Sequence, residues 1–128
     1  MREQRQYHRV GMTETCTLTY QNSLFQGQVN NISLNGAVAS FGEHLDVPLG
    51  SICQLTIHLK DENPPLLLNV EIIHCTDAMV GMRFVPLDEK GQNRLVHLVG
   101  RFTSEPHKLA AELETLKWHI TNYLRRAS

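Results

Sequence analysis

Asn30-Asn31-Ile32-Ser33-Leu34-Asn35-Gly36 is a short polar turn between two apolar, β-branched runs. Asn-Gly between strand-like runs is a strong turn signal, because both residues tolerate positive φ. Asn31 and Ser33 stand two apart, so in extended backbone their side chains share a face. Gly36 has no Cβ and lets a flat ligand approach the backbone. Upstream, Arg5-Gln6-Tyr7-His8-Arg9 carries two arginines four apart, before the first regular element. Two guanidinium forks beside an amide, a hydroxyl and a glycine suit a ligand with phosphates and purine edges.

Working outward, residues 1–12 show no periodicity and read as an extended arm ending near Gly11. Residues 14–20 are rich in β-formers, and Gln21-Asn22-Ser23 is a turn. Strands are expected over 24–32, with Phe25, Val29 and Ile32 apolar, and over 36–41. A loop over 42–50 tucks Leu45 and Val47 beneath it. In 51–59, Ile52, Leu55, Ile57 and Leu59 alternate against Gln54, Thr56 and His58. A charged tip closed by Pro64 and Pro65 leads to a strand over 66–75 with Val70, Ile72 and Ile73, and the sixth spans 79–85. Six strands joined by short turns, with no helix between them, imply a mostly β, antiparallel barrel or sandwich. Asp88 is the expected N-cap of a helix over 89–102, with Leu95, Leu98, Val99 and Phe102 on one face. A second helix over about 106–125 places Leu109, Leu113, Leu116, Ile120 and Tyr123 in one stripe. The stripe suits either packing on the barrel or a short self-association helix making a homo-oligomer. The domain organisation is thus an arm (1–12), a barrel with its following helix (13–103) and a C-terminal helix (104–128).

At 128 residues the chain is one domain, and 41% apolar residues suffice for a core. No apolar run approaches the roughly 18 residues of a spanning helix, so no membrane insertion is expected. The polar start lacks the apolar region of a signal peptide. Cys16, Cys53 and Cys75 each lie in a strand-like run, far from one another, and read as reduced thiols acting as small hydrophobes. Both observations give a cytoplasmic expectation. A net charge of −1 and 6% aromatic residues argue against a nucleic-acid partner, including a single-strand-binding barrel. The seven histidines are scattered without metal-ligand spacing, so neither a metal nor a cofactor is expected. Ser33 has no base or nucleophile elbow, and no catalytic set is visible.

The RxxxR of Arg5 and Arg9, followed by the NxSxxG of Asn31, Ser33 and Gly36, resembles the PilZ domain family, bacterial receptors for cyclic di-GMP. Val80-Gly81-Met82-Arg83-Phe84 resembles that family's last core strand, and the following apolar-periodic segment resembles its helix. The resemblance spans roughly residues 5 to 100 and selects the six-stranded barrel with C-terminal helices. It implies that Arg5 and Arg9 contact phosphates or guanine edges, that Asn31 and Ser33 contact the ligand, and that Gly36 serves the site. Asn31 stands where many members have Asp, and its amide offers one acceptor where a carboxylate offers two. His8, inside the arginine motif, either stacks on a base or stands in solvent. Arg83 either faces the site or pairs on the barrel exterior. The implied function is non-catalytic: a cyclic di-GMP receptor that relays the messenger level to an unidentified protein partner in motility, pilus or exopolysaccharide control. The alternative is a PilZ-fold protein–protein adaptor that binds no nucleotide.

Overall fold

The computed structural model describes residues 8–60, 64–76 and 78–114. Its strands are β1 (Val10–Gly11), β2 (Thr15–Tyr20), β3 (Ser23–Ile32), β4 (Gly36–Phe41), β5 (Ile52–His58), β6 (Leu66–Cys75) and β7 (Met79–Phe84). Helix α1 (Glu89–Phe102) follows, and α2 is helical over residues 106–114. All pairings are antiparallel, in the order β1-β3-β2-β5-β6-β7-β4. An additional β3–β4 pairing joins the ends, so six strands close into a barrel. Closure removes the free edges that an open sheet would leave to other chains. The remaining strand, β1, runs along the β3 edge that also carries β2.

The barrel interior is filled from alternating positions, with Leu18, Leu55, Ile57, Leu68, Val70 and Ile72 almost fully buried. Leu45 and Val47 are buried beneath their loop. In β5 the inward set is Cys53, Leu55 and Ile57, while Ile52 is exposed. Strict alternation back from Leu55 puts Cys53 inside and turns Ile52 out, so bulk does not override the pleat. β6 carries a bulge between Ile72 and His74, which leaves Ile73 facing solvent. Cys16 and Cys53 are buried free thiols, and Cys75 is partly buried. Burial pushes the Cys16 thiol from 9.0 up to about 11 and raises that of Cys53 as well.

Asp88 caps α1: its Oδ1 accepts from the Gly91 N–H at 2.7 Å. Leu95, Leu98 and Val99 are fully buried, while Phe102, in the last turn, is 37% exposed. Arg94 fixes α1 to the start of β6 by donating to the carbonyls of Pro65 (3.1 Å) and Pro64 (2.7 Å). Leu109 is buried, and Leu113 packs partly buried against the core. These two positions of the C-terminal stripe therefore pack within the molecule; Leu116, Ile120 and Tyr123 lie outside the described residues. The arm expected over 1–12 is not independent of the barrel at its end. Val10 and Met12 belong to the core, and Val10–Gly11 pair with β3.

Gly36 needs no positive φ; among the described residues only Gln21 and Gly50 adopt one. Its role is close approach, because a Cβ there would lie 2.1 Å from the Met82 carbonyl oxygen of β7. Gly36→Ala is therefore expected to cost about 3 kcal/mol, since backbone must move to admit the methyl. A Cβ at Gly100 would meet Leu109 at an ordinary 3.6 Å. Gly100→Ala should stabilise by about 0.5–1 kcal/mol through helix propensity. Urea unfolding midpoints of the two variants check the opposite signs. Midpoints should also fall as pH rises from 9.0 towards about 11, because the unfolded Cys16 thiol ionises before the folded one.

Candidate ligand-binding site

Val29 and Ile32 are both fully buried although three residues apart, a spacing that plain alternation cannot satisfy. A bulge in β3 resolves it: Val29 pairs with Ala39 and Asn31 with Val38, leaving Asn30 as the extra residue. Asn31 is thereby turned outwards while Ile32 returns to the core. On the other edge of β3, Gly11 pairs directly with Asn31 and Val10 with Ile32. Directly opposed residues share a face, and diagonal ones lie within reach of long side chains. Arg9, two residues before Gly11, is such a diagonal neighbour of Asn31. Its Nη1 donates to Asn31 Oδ1 at 2.8 Å. Gly11 leaves the path open; a Cβ there would find only the Asn30 carbonyl, at 3.9 Å.

Two residues of the sequence motifs, 22 positions apart, are thus brought into contact on the barrel surface. Ser33 is placed differently. It is 1% exposed, and its hydroxyl accepts from the N–H groups of Asn35 and Gly36, each at 3.1 Å. It also donates to the Gly36 carbonyl at 3.3 Å, while the Ser33 N–H donates to the same carbonyl at 2.8 Å. Ser33 therefore holds the turn between β3 and β4 instead of facing outwards. Asn31 and Ser33 do not share an open face because β3 ends at Ile32 and the chain has entered the turn at Ser33. Gly36 lies under the close contact with β7, and Arg5 lies outside the described residues. Arg83 pairs in register with Gly36, yet its guanidinium holds Glu71 at 2.5 Å on the exterior. His8 neither stands free in solvent nor offers an open ring: it is partly buried, with Nε2 hydrogen-bonded to Thr103 Oγ1 at 2.6 Å. Gly11 was not legible as a site residue; its signal is its register with Asn31, which depends on the β1–β3 pairing.

No group of three or more His, Cys, Asp or Glu side chains able to hold a metal occurs among the described residues. A guanidinium and an amide thus stand side by side on β3, beside a turn held by the buried Ser33 hydroxyl.

The chain is thus a small domain, a closed six-stranded antiparallel barrel with a capped helix behind it and an Arg–Asn pair on its rim. The family model for the PilZ domain matches residues 3–101, and the chain belongs to that family. Solved structures agree on the fold. The PilZ domain of YcgR from Escherichia coli, determined with c-di-GMP, superimposes with a TM-score of 0.70 at 15% identity, over 85% of this chain and 98% of that one. Bacillus subtilis MotI/DgrA, an inhibitor of motility, gives 0.64 at 15% identity, over 77% of this chain and 50% of that one. The PilZ domain of CeSA from a cellulose-synthesizing bacterium gives 0.58 at 16%, over 72% and 94%. The chain therefore spans about half the length of MotI/DgrA. No curated protein matches the sequence. No helix among the described residues is long and apolar enough to cross a membrane.

Ser33→Ala removes a buried acceptor shared by two N–H groups. It is expected to lower stability by about 1–3 kcal/mol, read from thermal melting without ligand; Ser33→Cys should lose nearly as much, because sulfur is a weak acceptor.

Proposed function

We propose that this chain is a non-catalytic receptor for cyclic di-GMP, which seats on the outer face of β3 at Asn31. The observation that carries this reading is the Arg9–Asn31 contact, which joins the two sequence motifs at one surface point. Arg9 supplies a planar fork for phosphate or for guanine O6 and N7, and Arg5 supplies a second. Asn31 pairs with a guanine edge through its amide. On binding, Arg9 exchanges its bond to Asn31 for bonds to the ligand. Membership in the PilZ family and the fold shared with the YcgR domain determined with c-di-GMP support the reading. The bound arm presents a changed surface, which a protein partner in motility, pilus or exopolysaccharide control reads in the cytoplasm.

One observation favours a second reading, an adaptor that binds protein and no nucleotide. The Ser33 hydroxyl is consumed by the turn, so a contact implied by the resemblance is already spent within the fold. Calorimetric titration decides between the two. Cyclic di-GMP is expected to bind, with cyclic di-AMP and GTP far weaker; equal heats from cyclic di-AMP would refute guanine recognition. Arg9→Ala should weaken binding about tenfold or more, equivalent to about 1.4 kcal/mol, with the melting temperature almost unchanged. Gly11→Val should act in the same way, because its side chain would stand over Asn31 while meeting nothing in the core.

A further inference from the structure

We propose that His8 latches the arginine-bearing arm to the C-terminal helices, so that nucleotide binding at Asn31 and docking of α2 on the barrel reinforce each other. This rests on the nucleotide reading of Arg9 and Asn31. The backbone N–H of His8 donates to Glu112 Oε2 on α2, 104 residues away in sequence. The His8 ring reaches Thr103 Oγ1, in the link between the two helices, at 2.6 Å. The same hydroxyl accepts from the Glu105 N–H at 3.0 Å, so it also shapes the entry into α2. The next residue, Arg9, turns the other way, to Asn31, and Val10 is anchored opposite Ile32 with 5% exposure.

Three consecutive residues therefore tie three parts of the molecule: His8 the helices, Arg9 the binding surface, and Val10 the core. In extended backbone successive side chains point to opposite faces. A ligand can take Arg9 without displacing His8, so latch and ligand are compatible. Holding residue 8 removes freedom that the ligand would otherwise have to restrict, which favours binding. Linkage makes the effect reciprocal, so ligand that orders the arm also holds α2. The Glu112 carboxylate is suited to the part. Its Oε1 is buried without a hydrogen-bond partner among the described residues, so its burial leans on the bond from His8. A charge-assisted bond in such a setting is stronger than one at an open surface.

The test is amide hydrogen exchange of the intact chain with and without cyclic di-GMP, beside calorimetry. In the wild type, saturation should slow exchange across residues 105–112. Glu112→Ala, which removes the acceptor, should weaken binding about fivefold or more and abolish the nucleotide-dependent protection of α2. Glu112→Gln keeps an acceptor oxygen and should restore both. If Glu112→Ala fails to fold, His8→Ala, which removes only the ring bond to Thr103, should show a partial loss of both. A purely structural Glu112 would lower the melting temperature but leave the protection by nucleotide intact, and that result overturns the latch. So does wild-type binding with unchanged exchange in α2. A wild type that gives no heat with cyclic di-GMP overturns the nucleotide reading itself, a separate outcome.

Discussion

At Gly36 the backbone of β4 comes so close to β7 that a single added methyl would collide with the Met82 carbonyl. The rest of the barrel depends on this contact. β4 is the strand that joins β7 to β3, and without it the sheet stays open with two unpaired edges. Ser33 works on the same joint from the other side, its buried hydroxyl bridging the turn that delivers the chain into β4. The conspicuous polar motif thus divides its labour. Ser33 and Gly36 close the barrel, and Asn31 is left on the outside.

A rigid joint beneath a partly buried amide is a sound base for the proposed recognition. The residues that would touch a ligand contribute little to the core, and those that hold the core are not spent on the ligand. The bulge at Asn30 makes the separation possible, because it reverses the phase of β3 between Val29 and Ile32. The arm enters through β1, where two residues of pairing align Gly11 with Asn31. That short pairing is anchored by Val10 and Met12, whose burial supplies what two strand residues alone would not.

The helices add a second relation. α1 is fixed by its Asp88 cap and by Arg94, which donates to the Pro64 and Pro65 carbonyls. α2 rests on α1 through Leu109 beside Gly100. The base of the arm meets α2 and the link that precedes it at His8, so the proposed binding surface and the C-terminal helices share a few adjacent residues of chain.

Much of this was legible from local pattern. Period-two runs, the turn residues between them, and Asp88 before an apolar-periodic segment specify their elements through backbone sterics and capping, which act over a few residues. The resemblance carried by RxxxR and NxSxxG implied that Arg9 and Asn31 serve one ligand; that they touch each other needed the fold. Other features needed the fold. The expectation of positive φ at Asn35-Gly36 failed because steric demand at Gly36 comes from β7, more than forty residues on. Ile52 and Ile73 looked apolar enough for the core, but pleat phase and a bulge turned them out. The resemblance implied a ligand contact for Ser33, and sequence spacing does not reveal which hydrogen bonds a turn will claim. Gly11 read only as the end of the arm, and Glu112 only as a solvent-facing or pairing charge beside the C-terminal stripe. Their significance lies in register and in a contact across the whole chain, and only closure of the barrel and packing of its helices decides those.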